Sequence, residues 1–244
     1  PVALTCRHCG QPLTHTFVDL GLSPPCQSHV ERARLQEPEM FYPLHVFVCG
    51  RCFLVQLPAH LTPQEIFSEC AYFSSYSDTL VAHSRAYVEE MTQRWNLNRS
   101  SLVVELASND GYLLQFFQAR GIPVLGIEPA RNVADVARQK NIPTLTEFFG
   151  RDLAWTLVAE RRRADLLLGN NVLAHVPDIN DFVGGMKILL GPRGVITMEF
   201  PHVMQLIEKN FFDTIYHEHY SYLSLTAAER VFRVAGLAVF DVEE

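Results

Sequence analysis

The segment 102–128 constrains the fold of this chain more than any other part of the sequence. It begins with an apolar run at 102–104, which is typical of a buried parallel strand. A polar turn with Gly111 follows, and then a stretch whose apolar residues repeat at helical spacing. A second apolar run, 124–127, ends at Glu128. This order of strand, turn, helix and strand predicts an α/β domain with a parallel sheet.

The turn and the acid of this segment predict a nucleotide-binding edge. An acid at the end of the second strand, roughly 20 residues after the turn, can accept hydrogen bonds from both ribose hydroxyls of a nucleotide. The turn brings backbone N–H groups and a helix N-terminus to the same ligand. The dinucleotide-binding pattern has three glycines in this turn, and here only Gly111 is present. This favours S-adenosylmethionine (SAM) over a nicotinamide cofactor as the ligand. The alternative is a structural βαβ unit without a ligand.

Two Cys-x-x-Cys pairs lie in the first part of the chain. Their members are Cys6, Cys9, Cys49 and Cys52. In an intracellular protein such pairs favour metal over disulfides, and four thiolates suit the tetrahedral geometry of zinc. We therefore expect one structural zinc site, which would contribute folding free energy to a small proline-rich unit. The alternative is two redox or idle pairs. Cys26 and Cys70 are predicted to be plain thiols.

Three domains are predicted along the chain. Residues 1–70 form a small, β-rich zinc-binding domain, 71–97 a linker with a helix, and 98–244 a Rossmann-like domain of alternating strands and helices. The helix of the linker is expected to begin at Ser77 or Asp78. A sixth strand of the last domain is expected over 237–242.

Side chains near the predicted strand ends and in the linker are candidates for the ligand edge. Phe148 follows the third strand, where an adenine ring could be sandwiched, although it can also be core. Asn170 and Asn171 end the fourth strand and face the predicted crevice. In the linker, Tyr72 and Tyr76 belong to a run that is interpreted either as packing or as a segment folding over the ligand.

The densest group of ionisable and phenolic side chains, at 215–222, follows the fifth predicted strand. A histidine beside a carboxylate can act as a general base, with Glu218 orienting the imidazole or raising its pKa. Tyrosines can donate hydrogen bonds to a substrate oxygen, as proton removal next to a ketone requires. The alternatives are a polar hairpin with core histidines and, less favoured, a His-x-His metal site with Glu218.

The charge and hydropathy patterns narrow the classes of partner. The net charge is −7 at pH 7, which disfavours a nucleic-acid partner because such proteins need a basic face. No apolar run reaches the roughly 20 residues of a membrane span. We expect a cytoplasmic protein that acts on a small molecule and binds neither nucleic acid nor membrane.

Several motifs carry a family resemblance: the two Cys-x-x-Cys pairs, ELASNDGYLL, GIEPARNVA, NNVLAHVPD, EFPH and FDTIYHEHYSYLSL. Together they resemble the SAM-dependent sugar C-methyltransferases, which act on nucleotide-linked 4-keto deoxysugars in antibiotic sugar pathways. The resemblance spans nearly the whole chain, and IYHEH is its most specific motif. It implies a class I methyltransferase domain and a nucleotide-sugar partner that is dTDP-linked.

The resemblance also implies roles for individual residues. His219 would take the proton from sugar C3, next to the C4 ketone, and the carbanion would attack the sulfonium methyl group of SAM. The family usually has glycine where this chain has Ala107. Candidates for catalysis are His219, Glu218, Tyr216 and His175; for the cofactor, Glu105, Ala107, Asn109, Gly111, Glu128, Phe148, Asn170 and Asn171; for the substrate, Tyr72, Tyr76, His217 and Tyr222; and for zinc, Cys6, Cys9, Cys49 and Cys52.

Family members continue into a C-terminal domain that helps to hold the sugar nucleotide. The resemblance therefore implies a C-terminally truncated chain that binds SAM and turns over poorly. Two other hypotheses stay open at this point, an NAD-dependent oxidoreductase and a non-catalytic zinc- and SAM-binding module. Nucleic-acid methylation is disfavoured by the acidic balance.

Overall fold

The computed structural model describes residues 4–26, 28–69 and 71–244. Cys70, predicted to be a plain thiol, lies outside these residues. The described chain divides into two compact units. The first, called the cysteine unit, takes its described residues from Pro1–Ile66, Leu173–Asn180 and Phe200–Glu244. The second, called the sheet unit, takes them from Phe67–Val172 and Asp181–Glu199.

Strands and helices alternate through the sheet unit, as predicted. The strands of the described chain are β1 (His15–Ser23), β2 (Tyr42–Val48), β3 (Val55–Gln56), β4 (Val103–Leu106), β5 (Val124–Ile127), β6 (Thr144–Leu145), β7 (Ala164–Asn170), β8 (Leu190–Glu199) and β9 (Ser221–Tyr222). The helices are α1 (Pro63–Phe67), α2 (Asp78–Arg94), α3 (Leu114–Ala119), α4 (Arg131–Gln139), α5 (Arg151–Ala159), α6 (Ile179–Leu189), α7 (Val203–Lys209) and α8 (Leu225–Val234). None of the described helices has the length and apolar character needed to cross a membrane.

The sheet unit is built on a five-stranded parallel sheet of order β6-β5-β4-β7-β8. Strands β4 and β5 pair from Val103 with Val124 to Leu106 with Ile127, so the residues that follow both strands meet at one edge. All four residues of β4 are buried, which fits a parallel sheet covered on both faces. The predicted Rossmann-like α/β class is confirmed.

The cysteine unit contains a four-stranded antiparallel sheet of order β1-β2-β3-β9. Its last strand comes from the far end of the sequence, because Val55 pairs with Tyr222 and Gln56 with Ser221. The buried core of this sheet consists of Leu44, Val46, Val55, Leu57, Val203, Ile215 and Tyr222. The segment that follows the fifth parallel strand therefore packs with the N-terminal residues. The predicted boundaries at 70 and 97 stay predictions.

The ends of two helices show how local sequence fixed the elements. Helix α2 begins at Asp78, and Ser77 Oγ accepts a hydrogen bond from the Leu80 N–H at 3.3 Å, as predicted. After α8, Gly236 has a φ of +75°, and the Leu237 N–H donates to the Phe232 carbonyl at 3.0 Å. The second bond completes the C-terminus of α8.

The sixth strand expected over 237–242 is wrong, because these residues form no strand in the structure. Leu237 is used by the helix cap, and among the residues that the structure describes no strand pairs with 238–242. Phe240 and Val242 are exposed. Alternating apolar residues predict a strand only where a neighbouring strand supplies backbone partners.

Candidate active site and metal centre

Four cysteine thiols form one cluster in the cysteine unit. They are Cys6, Cys9, Cys49 and Cys52, and their sulfur atoms all lie within 4.8 Å of one another. The Sγ atoms of Cys6 and Cys52 are 3.5 Å apart, as are those of Cys9 and Cys49. A disulfide would need about 2.05 Å, whereas Zn–S bonds of about 2.3 Å at tetrahedral angles put sulfurs about 3.8 Å apart. The predicted ligand set therefore fits one zinc ion, and Cys26 is not part of it.

Two polar groups donate hydrogen bonds to sulfur atoms of the cluster. The Gln56 side-chain amide donates to Cys6 Sγ at 3.2 Å, and the Arg51 N–H donates to Cys49 Sγ at 3.4 Å. Each cysteine pair lies in a turn that is closed by a backbone hydrogen bond from the residue that follows the pair. The Gly10 N–H donates to the Cys6 carbonyl at 2.9 Å, and the Phe53 N–H donates to the Cys49 carbonyl at 3.0 Å. Hydrogen bonds to a ligand orient it for the metal.

The turn after β4 alternates into the left-handed backbone region. The φ values of Ala107, Asn109 and Gly111 are +54°, +47° and +75°. Asparagine and glycine tolerate this region, but in alanine the Cβ comes too close to the following carbonyl oxygen, which costs free energy. A Cβ at Gly111 would lie 2.4 Å from Ile142 Cδ1, so the turn also needs glycine for space. The turn therefore carries local strain at Ala107, where the resemblance implied glycine.

Glu128 is fixed at the end of β5 by two backbone donors. Its Oε2 accepts from the Asn109 N–H at 2.9 Å, and its Oε1 accepts from the Ala130 N–H at 2.8 Å. Burial raises the pKa of Glu128, while these two bonds act to lower it. Because each carboxylate oxygen can accept more than one hydrogen bond, the group keeps capacity for the hydroxyls of a ribose.

Glu105, in β4, is an almost fully buried acid of the sheet unit. Its side chain is 1% exposed, and its Oε2 has no hydrogen-bond partner among the described residues. Burial, followed by the charges of Glu128 and Asp110, raises the pKa of Glu105 well above its usual range. A buried acceptor without a partner is costly, and it fits a ligand that brings an ammonium group, such as the methionine end of SAM.

Asp110 belongs to the same edge, although the sequence analysis did not select it as a site residue. It is fully buried, and its Oδ2 accepts from the Ser75 hydroxyl and from Lys140 Nζ at 3.2 Å. The Ser74 N–H donates to the Asn109 side chain at 2.9 Å. The residues before α2 are thus attached to the turn after β4. Asp110 stands directly before the turn glycine, Gly111, and this position in the sequence could have marked it as a residue of the site.

The remaining cofactor and linker candidates lie in the sheet unit with different degrees of exposure. The Asn109 side chain donates to the Tyr72 carbonyl at 3.1 Å, while Tyr76 is exposed and stacks on Phe73. Asn171 follows β7 and donates to Glu199 Oε1 at 3.2 Å. Asn170 hydrogen-bonds the Tyr112 side chain, and Phe148 is partly exposed. Their roles stay predictions.

The hydrogen bonds of His219 fix its tautomer. Its Nδ1 lies 2.8 Å from the Thr214 carbonyl, which can only accept, so Nδ1 carries the proton. Its Nε2 is then the acceptor of the Tyr216 hydroxyl at 2.9 Å. Burial lowers the pKa of His219 below its usual value. The ring is therefore a neutral imidazole whose basic lone pair is on Nε2.

His175 packs against this ring. The ring centroids of His175 and His219 are 4.7 Å apart, and His175 Nδ1 donates to the Glu218 carbonyl at 3.0 Å. Burial, and then the neighbouring His219, lowers the pKa of His175 to about 3. The structure thus brings together His175, Tyr216 and His219, three of the four predicted catalytic residues. Thr214, which sets the tautomer, was missed because a backbone carbonyl leaves no sequence signal.

Glu218 and His217 are both buried, and the roles of their side chains stay predictions. Burial raises the pKa of Glu218 to about 7, and its backbone carbonyl orients His175. Burial lowers the pKa of His219, so a raised pKa, one of the two predicted effects of Glu218, is not found. The other effect, orientation of the imidazole by Glu218, stays a prediction. His217 is buried and donates to the Tyr42 carbonyl at 3.2 Å. Tyr222, in β9, is also buried, 6.2 Å from His219 between centroids.

A parallel sheet of this order, with a strained turn after its first strand and a held acid after its second, defines a Rossmann-like SAM-binding methyltransferase fold. The family described as "Methyltransferase domain" matches residues 81–242, and this chain belongs to it. A family described as "Putative zinc binding domain" matches residues 6–67.

One sequence relative supports this family, and two solved structures share the fold. C-methyltransferase NovU from Streptomyces niveus is 34% identical over 237 residues, which cover 97% of this chain and 56% of NovU. The chain thus spans a little over half the length of this relative. The PH0226 protein from Pyrococcus horikoshii OT3 has a TM-score of 0.55 at 14% identity, covering 70% of this chain and 87% of its own. A SAM-dependent methyltransferase from Archaeoglobus fulgidus has a TM-score of 0.50 at 13% identity, covering 62% and 68%.

Proposed function

We propose that this chain is the catalytic part of a SAM-dependent C-methyltransferase that acts at C3 of a nucleotide-linked 4-keto deoxyhexose, with a dTDP-linked sugar as the expected substrate. The similarity to NovU supports C-methylation. The proposal assigns SAM to the edge with Glu105 and Glu128 and proton removal to His219. Bound SAM would supply the electrophilic methyl group.

The observation that carries the chemistry is the tautomer of His219. Nδ1–H is anchored on the Thr214 carbonyl, so only Nε2 can take a proton, and burial keeps the ring neutral at physiological pH. A neutral imidazole is the form that a general base needs. The C3 proton would pass to Nε2, and its electron pair would remain on C3, delocalised onto the C4 oxygen. C3 would then bond to the methyl carbon as the S–CH3 bond of the sulfonium breaks, its electron pair going to sulfur and S-adenosylhomocysteine being the leaving group.

Tyr216 has the chemistry of an enolate stabiliser. Burial raises its pKa to about 12, so the hydroxyl stays protonated at neutral pH and can donate. In this proposal the hydroxyl, which now bonds Nε2, turns to the C4 oxygen as the proton reaches Nε2. Tyr72, Tyr76, His217 and Tyr222 are proposed to contact the sugar nucleotide, and the thiolate-bound zinc would be structural.

Replacing His219 tests the proposal. We expect His219→Asn to lower methyl transfer from labelled SAM by roughly 10²–10⁴-fold, the usual contribution of a general base. SAM affinity by calorimetry and the melting midpoint should stay close to those of the parent chain. His29→Asn, at an exposed histidine, is the matched control. Methyl transfer retained in His219→Asn would refute the assignment.

A further inference from the structure

The first cysteine pair is attached to the segment that carries His175. Between the two cysteines lies Arg7, whose Nη1 donates to the Pro177 carbonyl at 2.9 Å and whose Nη2 donates to the Leu57 carbonyl. Its guanidinium also lies over the Tyr220 ring, 5.4 Å from the centroid. One side chain thus joins the cysteine cluster to the residues after His175 and to the residue after His219.

The neighbouring residue makes a second, reciprocal attachment. His8 Nδ1 donates to Asn180 Oδ1 at 2.8 Å, and Asn180 Nδ2 donates back to the His8 carbonyl at 2.8 Å. Asn180 Nδ2 also donates to the Arg7 carbonyl at 3.3 Å. Arg7 and His8, the two residues between the cysteines of the first pair, therefore both bind the segment 173–180.

Backbone bonds continue this attachment to the imidazoles. The Leu57 N–H donates to the Tyr220 carbonyl at 3.0 Å, and the Tyr220 N–H donates to the Ala174 carbonyl at 2.8 Å. His175 then donates to the Glu218 carbonyl, one residue before His219. Arg7 donates hydrogen bonds to Leu57, which begins this series of backbone bonds, and to Pro177, which follows Ala174 and His175 in the chain.

We propose that Arg7 and the His8–Asn180 pair are positioning residues that hold the His175 and His219 rings in their anchored tautomers. In this proposal the cysteine cluster fixes Arg7 and His8, and through them the positions of the two imidazole rings. This role is additional to its contribution to the stability of the cysteine unit. The proposal rests on the proposed function for its catalytic meaning, but the geometry of the rings can be measured without turnover.

The guanidinium is suited to this role because its donors are fixed in one plane. It reaches two carbonyls while stacking on an aromatic ring, which a lysine ammonium cannot reproduce. A guanidinium keeps its proton in proteins, so Arg7 is cationic at neutral pH. Arg7→Lys therefore keeps the charge and removes the paired contacts. Asn180→Ala removes the second attachment from the opposite side and leaves the cysteine pair unchanged.

The experiment uses ¹⁵N-labelled histidine and long-range ¹H–¹⁵N spectra, which distinguish the ring tautomers. We expect the zinc-loaded parent chain to show His175 and His219 as Nδ1–H imidazoles, each assigned by its own His→Asn variant. In Arg7→Lys and Asn180→Ala both rings should move toward averaged tautomers. Bound zinc, by metal analysis, should stay at one ion per chain, and SAM affinity should stay within about twofold. Methyl transfer should fall by about 10–100-fold, as expected for a misplaced catalytic group.

Arg51→Lys is the matched control, because Arg51 occupies the second cysteine pair and is exposed. It should leave the ring spectra unchanged. Anchored spectra retained in both Arg7→Lys and Asn180→Ala would overturn the positioning role, and if Arg7→Lys does not fold, Asn180→Ala decides alone. Averaged rings in these variants, combined with a parent chain that transfers no methyl group, would uphold the positioning role and refute the proposed function.

Discussion

Ala107 offers a test of strain at the cofactor edge. Its φ of +54° lies in the left-handed region, which costs an L-residue with a Cβ roughly 1–2 kcal/mol. Replacing it with glycine removes that cost. Glycine also gives the unfolded chain more freedom, which costs roughly 0.5–1 kcal/mol. Ala107→Gly should therefore be nearly neutral or slightly stabilising, although most alanine-to-glycine changes destabilise.

A matched substitution isolates the strain. Ala119 is an exposed residue of α3 with ordinary helical geometry, so Ala119→Gly carries the same unfolded-state cost without any relief. The free energies of unfolding of the two variants, from urea titration, should differ by roughly 1–2 kcal/mol in favour of Ala107→Gly. In thermal melts this is about 2–8 °C for a chain of this size. Equal destabilisation by both substitutions would refute the strain at Ala107.

Two further outcomes follow from the buried acid and the thiol cluster. Since the pKa of Glu105 is raised by burial, the folded state binds more protons than the unfolded state above the unfolded pKa, and stability falls as pH rises toward the folded pKa. Glu105→Gln should thus gain stability relative to the parent as the pH rises above about 4.3, the pKa of glutamate in an unfolded chain. Urea titrations at several pH values measure this gain, and a pH-independent difference would contradict it. Removal of zinc by a chelator should lower the melting midpoint, because metal binding contributes folding free energy, and one equivalent of zinc should restore it. An unchanged midpoint after verified zinc loss would count against a structural metal.

The parts of the fold that local pattern determines could be predicted from the sequence. Apolar runs bounded by a polar turn placed β4 and β5, and the acid that ends β5 was found because its position follows from the parallel register. The four thiolates were found because Cys-x-x-Cys spacing is itself the geometric constraint.

Features that depend on a particular backbone partner or on an unusual backbone angle could not be predicted. Strand β9 has only two residues, and it exists because β3, far away in the sequence, supplies its hydrogen bonds. The tautomer of His219 depends on the Thr214 carbonyl, and the left-handed Ala107 runs against the preference of its residue type. The apolar residues after Leu237 were wrongly assigned to a strand because their pattern alone was considered. A pattern does not show whether a neighbouring strand is present to pair with.

Calorimetric titration of SAM, beside NAD, tests the central claim most directly. The account predicts one SAM site and no NAD site. Glu128→Ala should weaken SAM binding by roughly 10²–10⁴-fold, because two hydroxyl hydrogen bonds to a charged acceptor are worth about 1.5–3 kcal/mol each. Glu147→Ala, at an exposed acid after β6, should bind SAM like the parent chain. Tight NAD binding, or a folded Glu128→Ala variant with unchanged SAM affinity, would contradict the account.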